Sequence, residues 1–501
     1  MPAAVTPPLA LTPELRAPRD HLGLLVEEFR RDFPIADDST MVSSARSFRD
    51  ALDVLRREVR AELGLPGRVR MAGHQAEFYH AGVFAKEIAI GQWAVAGGES
   101  PAFLIVDSDL PKHTSITIPE IGPRGLRRVE LKIPGVDPRC ITAAQPALPR
   151  SAWVSFFADI AQRTEHYEAS LLRAFNSAWC EPSGDALAEP DAPIDFILAF
   201  DRARRASLTA LRLPDVPSVR VSQLCRTPAF HAFVRAIAAD AERFARDHNA
   251  AIDAYRVRHG VSAANRPVAP LEVRADRVEL PFWRIRADGA RTRLFAPSSA
   301  NAALQPIELA AGEWIAPRAL TLTAFARLLL AEQFVHGIGG ALYDEITEQF
   351  TASYFGVRLP TLVCVTATAH LPLPRHGVGQ RELLAARRRA RDWQHNPQRV
   401  AENPSGPLLA ELIQLAGEIR EARAAREPIA RRVVLHEQII ELKDRLRAAS
   451  ELSPAELESA IDRAEAAFLE DQIASDREYF FALHTVATLK ALAASLSRGP
   501  T

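Results

Sequence analysis

The feature that most constrains this chain is a repeated join. A short apolar strand runs directly into a loop of glycine, histidine or aspartate, and a helix pattern follows. Arg68–Ala72 (RVRMA) reads as a strand, GHQAEFYHAG at 73–82 as its loop, and Val83–Val95 as the helix. Ala102–Val106 (AFLIV) is the next strand and ends in DSDLPKH, with Val129–Ile133 (VELKI) a third candidate. The texture returns late: FVHGIGGALYDEITEQF at 334–350 carries a glycine loop into a helix, and LPTLVCVTATAH at 359–370 reads as a strand. Strands alternating with helices predict a parallel sheet and an α/β fold.

The rest of the chain is arranged around that core. Helical patterns are expected at about 14–31 and 44–63, the second capped by Ser44, after a proline-rich arm at 1–13. Residues 151–213 read as mostly helical and 228–258 as one long helix. Leu271–Phe295 alternates apolar and polar residues, punctuated by Asp276 and Asp288-Gly289, as an antiparallel meander does. A further helix is expected over 318–331. Arginine-rich 380–394 and long patterns at 407–450 and 454–496 form a helical arm. Leu408, Leu412, Leu415 and Ile419, then Val434, Ile439, Leu442 and Leu446, make an apolar stripe that Pro428 interrupts. Ser453 and Glu456 form a capping box before the last helix. The expected division is an N-terminal helical segment (1–66), the first half of the core (67–150), an inserted helical region with the meander (151–312), the second half (313–375) and the C-terminal helical arm (376–501).

Composition narrows the function. The 61 basic and 62 acidic residues of the 501 leave a net charge of −1, with no global bias towards nucleic acid. Cys140, Cys180, Cys225 and Cys364 form no CxxC pair, which argues against a cysteine zinc site or a disulfide scaffold. The first twenty residues lack the pattern of a secretory signal, and no apolar run approaches the ~18 residues of a membrane span. A cytoplasmic protein is expected.

Three constellations carry chemistry. The first is Gly73, His74, Gln75, Tyr79, His80 and Gly82, at the carboxyl end of a strand and the start of a helix. Open α/β sheets bind ligands there, and helix N-termini favour anions. The second is Asp107, Asp109, Lys112 and His113, whose carboxylates suit a metal, a ribose hydroxyl, an amine or general-base work. The third is His336, Gly337, Gly339, Gly340, Tyr343, Asp344 and Glu345, an anion-cradle pattern at a helix start. Each has a plainer reading: a satisfied histidine, a solvated turn with capping aspartates, a tight turn needing glycine. The Arg387–Arg389 run with Arg391 reads as a solvated helix face, and Cys364 as core.

Taken together, GHQAEFYHAGVFAKE, FLIVDSDLPKH, IAPRALTLTAFARLLLAEQF and FVHGIGGALYDEI resemble, in order and spacing, the bacillithiol biosynthesis cysteine-adding family over roughly Arg68 to Leu496. The resemblance implies a Rossmann-like core of nucleotidyltransferase type with helical and small antiparallel insertions, and a coiled-coil arm that mediates a homodimer. It implies a ligase joining cysteine to the amino group of glucosaminyl-malate, with ATP and Mg²⁺ as the presumed cofactors. His74, His80 and the 337–340 glycines would then hold phosphates, and Asp107 or Asp109 would orient the amine or ribose. The chain differs from the family's pattern at His74, His80, DSDLPKH and His336. Two alternatives stand beside the ligase, the first drawn from those extra histidines and the second from the helical arm. One is a metal-dependent, hydrolase-like enzyme using His74, His80, Asp107, Asp109, His113 and His336. The other is a non-catalytic assembly module.

Overall fold

The computed structural model describes residues 22–181, 189, 191–262, 268–298, 307–400, 406–450 and 452–499. The proline-rich arm at 1–13 lies outside them. The chain forms two compact units. One contains Met1–Glu120, Arg128–Pro372 and Arg477–Thr501; the other contains Ile121–Arg127 and Leu373–Asp476.

The first unit opens with strand β1 (Leu22–Phe29), where a helix was expected over 14–31. Its eight residues pair antiparallel with a strand far along the chain, Leu22 opposite Ala369. That edge offers the backbone a complete ladder, which a local helical pattern cannot reveal. Helices α1 (Ser43–Asp50) and α2 (Leu52–Glu62) follow. Ser44 does not cap them: Val42 is the N-cap, and the Ser44 hydroxyl donates to the Ala236 carbonyl at 3.3 Å. Next come β2 (Val69–Gln75), α3 (Ala81–Gly97) and β3 (Ser100–Val106). β4 (Ser115–Gly122) and β5 (Gly125–Lys132) form a separate two-stranded sheet, so VELKI is not a core strand.

β6 (Leu148–Pro149), α4 (Arg150–Arg163), α5 (Ser170–Trp179), β7 (Pro193–Ile194) and α6 (Phe196–Ala210) make up the helical insertion. β8 (Ser218–Arg220) returns the chain to the main sheet. After α7 (Val221–Leu224), the long helix expected over 228–258 is two, α8 (Pro228–Ala238) and α9 (Ala241–His259). Asp240 separates them by accepting the Arg243 N–H at 3.0 Å as an N-cap. β9 (Arg277–Ile285), β10 (Arg291–Pro297) and β11 (Trp314–Pro317) form an antiparallel sheet in the order β10-β9-β11. α10 (Ala319–Phe325) ends in a π-helical turn at Ala326–Leu330, and β12 (Gln333–His336), α11 (Ile338–Phe355) and β13 (Leu362–Ala369) complete the core.

The main sheet has the order β1-β13-β12-β2-β3-β8. All neighbours except β1 are parallel. Taken in chain order, the five parallel strands lie third, second, first, fourth, fifth, so the direction of winding reverses between β2 and β12. Alternation along the strands builds the layers. Val69, Met71, Ala102 and Leu104 belong to the large core that also holds Phe48, Phe233, Phe325 and Phe355. Phe103 faces the other way, under the Arg204 guanidinium at 4.8 Å. Every residue of β13 is buried, as a strand covered on both faces requires.

The second unit is helical: α12 (Gln380–His395), α13 (Pro407–Ala424), α14 (Ile429–Ala448) and α15 (Pro454–Ala474). Pro428 is the break between α13 and α14. Leu412 and Ile419 pack against Leu435, Leu442 and Leu446, while Val434, placed in the stripe by its spacing, is 49% exposed. The capping box of Ser453 and Glu456 forms. The arginine-rich face is solvated, with Arg387 pairing Glu465. The helix expected over 454–496 stops at Ala474; α16 (Val486–Leu496) belongs to the first unit, where Trp93 donates to the Leu496 carbonyl at 2.8 Å. Among the described residues no helix is long and apolar enough to cross a membrane.

Candidate functional site

A cavity of about 970 Å³ opens at the carboxyl ends of β2, β3 and β12. One wall comes from those strand ends. Gly73, His74 and Gln75 leave β2, Ser108 and Asp109 follow β3, and His336 and Gly340 stand at the start of α11. Gly73 has a packing reason to lack a side chain: a Cβ there would sit 3.0 Å from the Leu104 carbonyl oxygen of the adjacent strand. His74 donates from Nδ1 to the Gln75 carbonyl at 3.2 Å, because a carbonyl only accepts, which leaves Nε2 unprotonated. Burial, and then the Lys86 ammonium, pull His74 well below its ordinary pKa, so the ring is neutral. Gln75 donates to Asp109 Oδ2 at 2.6 Å, and Asp109 also receives the Leu110 N–H at 2.9 Å and the Arg291 guanidinium.

The facing wall comes from the antiparallel sheet, α9 and the start of α10. Trp283 lies under two guanidiniums, Arg291 at 4.7 Å and Arg318 at 4.2 Å from the ring centroid. Glu279, 2% exposed, accepts from Arg318 at 2.5 Å and lies 3.5 Å from Arg293. Arg293 also pairs with Glu272 at 3.1 Å. The three arginines of the cavity are thus matched by Asp109, Glu272 and Glu279. His248 completes this wall; burial pulls it to about 4, so it too is neutral. None of these residues stood out in the sequence except Asp109. The available signal was the i, i+2 spacing of Arg291 and Arg293 on a strand, which puts both on one face.

Several expected site residues lie elsewhere. His80 is the N-cap of α3: its Nδ1 accepts the Gly82 N–H at 3.0 Å, and burial, helped by Arg477, pulls it to about 3. Gly82 is a packing glycine, since a Cβ would meet the Ala367 carbonyl oxygen at 2.6 Å. Asp107 is fully buried and accepts both the backbone N–H (2.8 Å) and the hydroxyl of Ser222, anchoring the start of α7; burial raises its pKa. Lys112 and His113 are exposed, with His113 3.2 Å from Glu77. Asp344 lies beneath the cavity, 3.3 Å from His336 Nε2 and 2.5 Å from Arg327. Burial opposes its ionisation, but Arg327 and His336 outweigh it and hold the carboxyl below the usual range. Glu345 faces Arg258 and His259, and Tyr343 is 39% exposed beside Tyr255. Gly337 and Gly339 open the helix into free space, where a Cβ would meet nothing within 4 Å.

The histidines and aspartates proposed for a metal are thus taken up by separate partners. Among the described residues no three His, Cys, Asp or Glu side chains gather as a metal site. Lys86, which lies in GHQAEFYHAGVFAKE but was given no role there, is 4% exposed and donates to the Gly73 carbonyl at 2.8 Å, directly behind the strand-end wall. Burial lowers its pKa from 10.5 to about 8. No protein-family model matches the chain, and no curated protein matches it.

Proposed function

We propose that the cavity is the active site of an ATP-dependent carbon–nitrogen ligase on a Rossmann-like core, joining cysteine or a related amino acid to the amino group of glucosaminyl-malate or a similar small molecule. The observation that carries this reading is the position of the cavity at the reversal of strand order between β2 and β12, the crevice where doubly wound sheets take nucleotides. The residues present fit a nucleotide. α11 is 18 residues long, and its N-terminal end reaches the cavity at His336 and Gly340, where free backbone N–H groups and the helix dipole favour a phosphate. Mg²⁺ takes most of its ligands from phosphates and water and would come with the nucleotide.

ATP, when bound, would supply the activation that an amide bond requires. The chain's own part is binding and orientation. The α11 N-terminus and Arg291 would hold the anionic groups. His74 Nε2, unprotonated, would accept a hydrogen bond from the incoming amine. The reading also makes the α13–α14 hairpin a coiled coil that mediates a homodimer, supported by the exposed Ile429, Val433 and Ile440 recurring on one side of α14. A monomeric mass by light scattering would remove that part.

The test is thermal denaturation with Mg·ATP, cysteine and glucosaminyl-malate, followed by product analysis. A ligand at 100 times its Kd adds about 2.7 kcal/mol to stability. His74→Ala should weaken the ligand response and leave the ligand-free midpoint in place. No response to Mg·ATP in the parent protein would overturn the nucleotide reading.

A further inference from the structure

At the opposite ends of β2 and β12 lies a second cavity of about 640 Å³, lined by Arg56, Arg57, Arg60, Ala61 and the loop Gly64–Gly67. The loop curls back through two left-handed glycines, Gly64 at φ +68° and Gly67 at φ +69°, and gives Arg60 Nη1 a carbonyl at 3.0 Å. Three arginines within two helical turns repel one another, at spacings i, i+3 and i, i+4. Their compensation is incomplete. Arg60 pairs with Glu332 at 2.8 Å through Nη1, while its Nε and Nη2 are buried without a hydrogen-bond partner, although the residue is only 9% exposed. Arg56 spends Nε and Nη2 on the Leu328 carbonyl and lies 3.7 Å from the exposed Asp53. Among the described residues Arg57 makes no ion pair. A buried guanidinium with two open donors, beside an unpaired arginine and a hollow, is a site short of an anion.

We propose that this cavity binds a phosphate group, free or as a phosphomonoester. The guanidinium donors match phosphate oxygens in geometry and charge. The site is separate from the large cavity, and the proposal stands whether or not that cavity binds ATP. Its ligand would sit on residues that brace the core: Glu332, Arg60's partner, also accepts the Val69 N–H at 2.6 Å, and Arg56 holds the π-helical turn that leads to β12.

The test is calorimetric titration of the full-length protein with inorganic phosphate, and separately with glycerol 3-phosphate, at ionic strength held constant with chloride. Binding by either, weakened about tenfold or more in Arg57→Ala and unchanged in Arg293→Ala, is the expected result. Arg57 is exposed, so its replacement leaves the fold intact. The two titrants tell free phosphate from an ester. The proposal is overturned if neither binds with a Kd of about 1 mM or better, or if Arg57→Ala binds as the parent does. Loss of binding in Arg293→Ala alone would also overturn it, because the phosphate would then belong in the large cavity.

Discussion

The two walls of the large cavity handle charge in opposite ways. The wall on the antiparallel sheet is a lattice of paired ions, Arg318 and Arg293 against Glu279 and Glu272, and its Arg291 reaches across to Asp109 of the strand-end wall. Apart from Asp109 the strand-end wall carries, among the described residues, no ion pair at its surface, with His74 uncharged, and has a single buried ammonium behind it, Lys86, held by a carbonyl. Breaking a matched pair leaves the partner stranded, whereas removing a lone buried charge relieves a burden. The same type of substitution should therefore have opposite signs on the two sides.

Glu279→Ala should show the largest effect. It leaves Arg318 without its carboxylate and the Glu272 N–H without an acceptor, and should cost about 3–5 kcal/mol in urea unfolding. A cost under about 1 kcal/mol would mean that the lattice does not hold this wall. Lys86→Met should go the other way and stabilise the protein by up to about 3 kcal/mol near neutral pH. Below pH 8 both folded and unfolded chains carry the Lys86 proton, and the burial cost is present in full. Between pH 8 and 10.5 only the unfolded chain keeps it, so parental stability climbs with pH and then levels. The difference between parent and Lys86→Met should shrink over that window; a constant difference would show that Lys86 does not titrate there.

His80→Ala should cost about 1 kcal/mol as a lost N-cap and leave ligand affinity in the cavity unchanged. That contrasts with His74→Ala, for which affinity falls and stability holds. Smallest is Gly339→Ala, in the first turn of α11 with open space around it, which should add about 0.5 kcal/mol of stability and so raise the thermal midpoint. A lower midpoint would show that the turn needs the glycine's freedom.

The strand-end wall was largely legible because its parts are local. Strand, loop and helix are consecutive, so His74, Gln75, Asp109, His336 and Gly340 could be placed at strand ends from pattern alone. The same locality misled at His80 and Asp107. His74, which lines the cavity, and His80, which caps α3, stand six residues apart in one strand-to-helix loop, and nothing local separates the two roles. Whether Asp107 faces a ligand or Ser222 depends on a segment 115 residues away. The arginine wall left little trace, because Trp283, Arg291 and Arg318 become a site only when β9, β10 and α10 fold against the sheet.

The sequence by itself determined the alternation of strands and helices, the glycine-bearing turns at the strand ends, and the helical hairpin broken at Pro428. Hydrophobic period, caps and proline act over a few residues and are written in order along the chain. Only the tertiary structure decided that Leu22–Phe29 is an edge strand, that β8 extends the sheet, and that VELKI stays outside it. It also decided which charges meet. Strand pairing and ion pairing join residues tens to hundreds of positions apart, and burial, which sets how strongly those charges act, exists only once the layers have closed.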